Sequence, residues 1–331
     1  MRLRQLAATS AVSVTLLLAA CSGTEQVADP SSTPSGTPAT ATPAATASAS
    51  PLPSIAPSAD LSGIEVSGAD TPVVKVPSPW AIEKTTVKVL REGTSPQVVS
   101  ESGVVRVNYV GVNGRTGEIF DSSFERGAPV DFAVNGVIKG FNQALVGQKV
   151  GSRVLVGITS EDGYPQGSGD KILAGDHLVF VLDILAAELA EPTGTEKAPP
   201  PQAPKVSVGS DGPKLETPTG SAPTELGSYL LIEGVGAPIA ATDSITVRYR
   251  SFTWDGTLFE DAWSVKQSGA LNTLLQGWQD GLVGKPVGSR VVLAIPPQLG
   301  LPDGRKAAPT LAPGQSLIYV IDVLYAAPTP S

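Results

Sequence analysis

"VGQKVGSRVLVGI" (Val146–Ile158) and "VGKPVGSRVVLAI" (Val283–Ile295) occur in the same 331-residue chain. Each is a glycine-marked turn running into a β-branched apolar segment, and together they disclose a repeat. Working outward, "VRVNYVG" with Tyr109 answers to "ITVRYRS" with Tyr249, and "GEIFDSS" to "GTLFEDA". "LVFVLDIL" from Leu178 answers to "LIYVIDVL" from Leu317, and the order of matches is the same in both halves. Two copies of units above roughly 100 residues indicate a duplicated globular domain rather than a solenoid array.

Within each copy the apolar period is mostly two. In "VVRVNYV", Val105, Val107 and Tyr109 alternate with Arg106 and Asn108, as in a strand covered on one face. "TTVKVLREG", "SRVLVGITS" and "LVFVLDILA" read as further strands, β-branched and bounded by Gly, Ser or Pro. One short helix is expected at "FNQALVG", where Phe141, Ala144 and Leu145 share a face. Antiparallel strands packed on a single short helix make a small α+β domain.

The remainder of the chain is not core. "STPSGTPATATPAATASASPLPS" has almost no large apolar side chains and cannot offset its conformational entropy by burial, so it is expected to be a disordered stalk. "ELAEPTGTEKAPPPQAP" (Glu188–Pro204) has the proline and charge content of a linker. "MRLRQLAATSAVSVTLLLAAC" opens the chain with two arginines, an apolar run and small residues, the pattern of an export signal. Its apolar run is shorter than the roughly 20 residues a bilayer core requires. The expected organisation is a signal over 1–20, a stalk over 21–63, a first domain over 64–187, a linker over 188–204 and a second domain over 205–326. "LAAC" ending at Cys21, the sole cysteine, resembles the lipobox of bacterial lipoproteins, which implies a lipid on the Cys21 thiol.

Chemistry is narrowed by what the composition lacks. The formal net charge is −8, and no basic patch interleaved with aromatics is present, so nucleic acid is not an expected partner. The one histidine, His177, occurs in the first copy only and reads as a surface loop residue; no duplicated triad or histidine metal site is available. No base is in evidence for Ser122 or Ser123 as nucleophile, and no phosphate-binding loop or metal-ligand spacing stands out; neither metal nor cofactor is expected. What remains is a set of aromatic and aliphatic side chains around one acid, Asp121: Phe120, Phe132, Val137, Ile138, Phe141, Tyr164, Ile172 and Phe180. Taken singly, each is also a natural core residue.

In this order, "VNYVG", "GEIFDSSFERGAPVDF", "VIKGF", "VGQKVGSR", "GY" and "LVFVLDIL" resemble the successive signatures of FKBP-type peptidyl-prolyl cis-trans isomerases over Val104–Leu185. The second copy resembles a diverged member, and lipobox, stalk and tandem units together are similar to exported lipoproteins of high-GC Gram-positive bacteria. The resemblance implies a twisted antiparallel sheet wrapped around one short helix, and an enzyme at the outer face of the cell membrane acting on unfolded, proline-containing exported polypeptides. It also implies tacrolimus or rapamycin as inhibitors. Phe141 would floor the pocket, where many members carry Trp. Tyr109, Phe120, Phe132, Val137, Ile138 and Phe180 would wall it, with Val130 where an additional aromatic is common. Tyr164 would donate to a substrate carbonyl and Ile172 would lie on the loop above. Asp121 would orient the peptide from the rim; a turn-forming role, or pairing with Arg126, stays open for it. The second copy offers Tyr249, Phe259, Leu274, Leu275, Trp278 and Tyr319 at matching positions, with Glu260 for the aspartate and Leu301 for Tyr164. Leucine donates no hydrogen bond, so weak or absent turnover is expected there; for the protein as a whole, the alternative to an isomerase is a non-catalytic adaptor or chaperone lipoprotein whose pockets hold proline-containing segments.

Overall fold

The structure is a computed structural model, and it describes residues 55–329. The expected signal, Cys21 and most of the expected stalk lie outside the described residues. Packing begins ahead of Ile64: Leu61, placed in the stalk by composition, is 4% exposed.

The first repeat contains a hairpin, β1 (Glu65–Ser67) and β2 (Val73–Lys75), followed by β3 (Thr86–Arg91), β4 (Val104–Asn113), β5 (Ile119–Ser122) and β6 (Val130–Ala133). Helix α1 (Lys139–Leu145), β7 (Arg153–Ile158) and β8 (Leu178–Ala187) complete it. The main sheet runs β3-β7-β8-β4-β5, with β6 also paired to β4, and every pairing is antiparallel. Helix α1 buries Phe141, Ala144 and Leu145 against the sheet, the face the sequence spacing predicts. Gly140 permits the approach: a Cβ there would lie 2.4 Å from Ile158 Cγ2.

Burial along β4 departs from simple alternation. It alternates as far as Asn108 and is continuous from Tyr109 onward. The cause is a second layer: Leu61, Ile64, Trp80 and Ile82 pack over Val110, Val112, Leu155, Val179 and Val181 on the sheet's outer face. There the sheet is covered on both faces, not one.

After β9 (Gly194–Glu196), the second repeat opens with its own hairpin, β10 (Val206–Gly209) and β11 (Gly212–Leu215). Then come β12 (Gly227–Gly234), β13 (Asp243–Thr253), β14 (Leu258–Ala270), α2 (Gln276–Leu282), β15 (Arg290–Ile295) and β16 (Leu317–Pro328). Its antiparallel sheet runs β14-β13-β16-β15-β12-β9, so a piece of the linker stretch serves as an edge strand. Val206 and Leu215 of the hairpin cover the outer face at Phe252, Val292, Ile318 and Val320, as the N-terminal segment does in the first repeat.

The repeats differ at one edge. β5 and β6 are separate strands joined by a turn that carries Arg126, whereas β14 is one 13-residue strand with a register shift opposite Val247 and Tyr249. Between the repeats, Leu189 N–H donates to Leu324 O at 2.9 Å and its side chain joins the second core. Lys266 Nζ lies 2.5 Å from the buried Glu188 carboxylate, which also accepts the Val104 N–H. Tyr325 Oη donates to Asp131 Oδ1 at 2.8 Å, and Arg106 Nη2 donates to Pro328 O at 3.1 Å.

Candidate functional site

Strands β4, β5, β6 and β8 turn Tyr109, Phe120, Phe132 and Phe180 toward the helix, and α1 presents Phe141 from below. They enclose a cavity of about 440 Å³ that Asp121, Val137, Ile138 and Tyr164 also line. Phe141 lies 5.1 Å from Phe180, 5.5 Å from Phe132 and 6.0 Å from Tyr109 between ring centroids, with interplanar angles of 84°, 71° and 89°. Such near-perpendicular contacts each contribute about 0.5–1.5 kcal/mol beyond area burial, so the rings are mutually fixed. Gly111 makes room for two of them: a Cβ on it would come within 2.7 Å of Phe120 Cζ and 2.8 Å of Phe180 Cε1.

The polar end is equally defined. Asp121 lies within β5, paired with Gly111, and is not part of a turn. Its carboxylate accepts from the Tyr109 hydroxyl and from Arg126 Nη1, while Arg126 Nη2 donates to the same hydroxyl at 2.8 Å. Pairing with Arg126 and a place on the cavity rim therefore coexist. Burial, then the bond to Asp121, pushes the Tyr109 phenol above its ordinary pKa, so it remains a donor. Among the described residues the Tyr164 hydroxyl has no protein partner and is free to donate. Ser122 and Ser123 are buried, and Ser123 Oγ accepts the Tyr109 N–H at 2.8 Å; their role is structural.

Two expected lining residues are not brought to the cavity. Ile172 is buried in the first core, where its carbonyl accepts the Ser168 N–H and pins the overlying loop. Val130 packs on the same core beside Val107. Gly136 lines the cavity and was not singled out in the sequence, having no side chain to signal with. His177 is half-buried rather than a surface residue, and its Nδ1 accepts the Ile82 N–H at 3.2 Å.

The second repeat holds a cavity of about 350 Å³ at the equivalent place, lined by Tyr249, Glu260, Leu274, Leu275, Trp278, Leu301 and Tyr319 as expected from the matches. Trp278 sits 5.1 Å from Tyr249 and 5.2 Å from Tyr319, at 88° and 81°. Phe259 is buried beside this cavity and does not line it. Three departures alter its character. Gly269 stands opposite Ile245 in the register position that Phe132 holds opposite Val105, so one wall ring is missing. Leu301 takes the place of Tyr164. Arg305, whose main chain bonds to Leu311 as Ser168 does to Ile172, enters the site. Its Nη1 donates to Glu260 Oε1 at 2.6 Å and its guanidinium lies 4.4 Å from the Phe259 centroid. The continuous β14 has no turn to supply a counterpart of Arg126, and the cation arrives from the opposite loop. Sequence matching missed Arg305 because the loop that carries it diverges in length and composition.

Comparison with known proteins gives the family. The model of the family described as FKBP-type peptidyl-prolyl cis-trans isomerase matches residues 95–185 and 236–324. A probable FK506-binding protein of Corynebacterium glutamicum is 38% identical over 119 residues, which is 36% of this chain and 99% of that protein. An FK506-binding protein of Streptomyces anulatus is 37% identical over 122 residues, 35% of this chain and 97% of that protein. A crystal structure of the three FKBP domains of wheat FKBP73 aligns over 74% of this chain and 95% of its own, at 17% identity and a TM-score of 0.32. With both matched segments falling on the two repeats just described, the chain belongs to the FKBP-type peptidyl-prolyl cis-trans isomerase family as a tandem member.

Proposed function

We propose that the first cavity is the catalytic site, that the second is weak or inactive in turnover, and that the substrates are proline-containing segments of exported proteins. The observation that carries this is the enclosure of five aromatic rings that ends in one rim carboxylate and one unpartnered hydroxyl, Tyr164. Rotation about an X-Pro bond faces a barrier of about 18–20 kcal/mol because it breaks amide resonance. Resonance places charge on the carbonyl oxygen, and water stabilises that form; transfer to an apolar cavity removes the stabilisation. A preference for the twisted amide of about 6 kcal/mol accelerates exchange by roughly 10⁴. Phe141 supports the pyrrolidine ring, Tyr164 donates to a substrate carbonyl, and Asp121, held by Tyr109 and Arg126, sets negative charge near the carbonyl carbon without taking a proton.

The second cavity offers no hydroxyl at Leu301 and lacks the wall ring that Phe132 supplies in the first, which favours binding over turnover. Export and lipid attachment at Cys21 rest on the leader and lipobox; membrane release of Cys21→Ala is their test. FK506, named in the relatives, is a candidate competitor for the first cavity. NMR exchange spectroscopy on a Leu-Pro peptide with the full chain tests the assignment. Tyr164→Phe and Asp121→Ala should each lower exchange about 10-fold or more with the fold retained, an amount set by losing one positioned polar group. Trp278→Phe should leave it unchanged. Loss of exchange in Trp278→Phe alone would move the catalytic site to the second repeat.

A further inference from the structure

The two sheets end differently along one edge. In the second repeat β12 is capped by residues 189–197, which include β9, whereas the corresponding strand of the first repeat, β3, is the last in its sheet. β3 and β12 correspond residue for residue. Val89 pairs with Val154 and Arg91 with Arg153, leaving Leu90 as an extra residue, just as Leu230 pairs with Val291 and Ile232 with Arg290, leaving Leu231 between. Gly93 N–H donates to Ser152 Oγ and Gly234 N–H to Ser289 Oγ, both at 2.9 Å.

Main chain holds the cap at three carbonyls. Leu189 N–H donates to Leu324 O at 2.9 Å, Thr193 N–H to Gly288 O at 3.1 Å and Lys197 N–H to Leu231 O at 2.9 Å, one donor at every fourth residue. Leu189 is the single buried residue of the cap, while Glu191 and Lys197 pair with Arg248 and Glu233 at the surface. At Gly194 the two backbones come close enough that a Cβ would lie 1.9 Å from Glu233 O. In the first repeat the corresponding carbonyls belong to Leu185, Gly151 and Leu90, and among the described residues no segment outside the sheet donates to them. Exposure follows the cap: Leu324 and Gly288 are buried, whereas Gly151 is exposed and Leu185 and Leu90 are 43% and 36% exposed. Leu185 opens onto a depression of about 270 Å³ beside Val150 and Ala187. None of these residues lines either cavity.

We propose that this bare edge of the first repeat docks an extended segment of another polypeptide by strand addition, selecting a large apolar residue and a glycine five residues further on. The second repeat supplies the pattern, since Leu189 and Gly194 stand at that spacing on the same three carbonyl positions. Main-chain bonds give the attraction and the two anchors give the selection. The bulge at Leu90 does not blunt the edge, because the same bulge at Leu231 accepts Lys197. Where Ile232 faces Glu196 the first repeat presents Arg91, so an acidic residue two places after the glycine gains a cross-strand partner. The chain's own N-terminal stretch does not fit: between positions 22 and 54 only Val27 and Leu52 are large and apolar, and Ser32 and Pro57 stand five residues on. Residues 189–197 of a second copy are engaged on their own β12.

The test titrates the ¹⁵N-labelled full chain with the capped peptide Leu-Ala-Glu-Ala-Thr-Gly-Thr-Glu-Lys, the cap of the second repeat with alanine for its proline, so that no prolyl ring is offered to either cavity. Amide shifts are expected at residues 88–93, 150–152 and 184–187, with half-saturation below about 1 mM. Alanine for the glycine of the peptide, and Leu185→Glu in the protein, should each weaken binding about 10-fold or more; lysine for the glutamate opposite Arg91 should weaken it about 3-fold. Leu185→Glu should leave Leu-Pro exchange unchanged, since the edge is separate from the first cavity. No shift at β3 at peptide concentrations well above about 1 mM, equal binding of the glycine and alanine peptides, or shifts confined to a cavity lining would each overturn the proposal. The same amides moving on dilution without peptide would give the edge to a second copy and overturn it as well.

Discussion

Tyr325→Phe isolates one polar contact between the repeats. Tyr325 is 6% exposed, and its hydroxyl donates to Asp131 Oδ1 at 2.8 Å; the substitution keeps the ring and creates no cavity. A hydrogen bond to a charged acceptor contributes about 1.5–3 kcal/mol. Asp131 keeps Arg106 Nε at 3.0 Å and its side chain is 29% exposed, so the lower end applies, about 1–1.5 kcal/mol once screening is allowed for. Burial first, and then Asp131, raises the Tyr325 phenol above its ordinary pKa. A group raised in the folded state adds stability below its unfolded pKa, about 10 for tyrosine, and loses it as pH climbs above that value. Tyr325→Phe should therefore flatten the alkaline fall in stability. The contact also reaches the first site, since Asp131 lies between Val130 and Phe132 on β6, and Phe132 is a cavity wall. Urea unfolding of the full chain, with Tyr325→Phe, Asp131→Asn and the double variant, gives the coupling energy directly, read beside KM for a Leu-Pro peptide. A coupling below about 0.3 kcal/mol, the ordinary error of additivity, would refute the contact as a source of stability.

Two further perturbations probe the first repeat. Gly111→Ala places a Cβ 2.7 Å from Phe120 Cζ and 2.8 Å from Phe180 Cε1, forcing both rings; a loss of about 1–3 kcal/mol in urea unfolding is expected, with weaker peptide binding. His177, lowered by burial and accepting the Ile82 N–H on Nδ1, adds stability above its unfolded pKa of about 6.5 and loses it as pH falls through the lower folded value. Unfolding below pH 6.5 should take up a proton that His177→Gln does not, which pH-dependent calorimetry can measure.

The legible parts of this molecule are those in which side-chain chemistry and local period agree. Alternation in "VVRVNYV" and the shared face of Phe141, Ala144 and Leu145 located the strand and helix that frame the first cavity, and the repeat carried the frame to Trp278. Continuous burial at the end of β4 was not legible, because the layer that causes it, Leu61 to Ile82, is distant in sequence from the strand it covers. Ile172 was read as a pocket residue by resemblance; packing directed it inward, where an apolar side chain is equally at home.

Divergence between the two sites follows one structural change through its consequences. In the first repeat the β5–β6 turn supplies Arg126 to hold the rim acid and then delivers Phe132 to the wall. Continuity of β14 in the second repeat removes both: no turn cation is available, and glycine stands at the wall position. A carboxylate left half-buried without a cation is costly, and Glu260, longer by one methylene, reaches Arg305 instead. The loop that brings Arg305 is the one that carries Leu301 in place of the free hydroxyl. Loss of the donor, gain of the guanidinium and the opened wall are therefore linked, and Leu301→Tyr alone leaves the wall open at Gly269. That single change should not confer turnover on the second cavity.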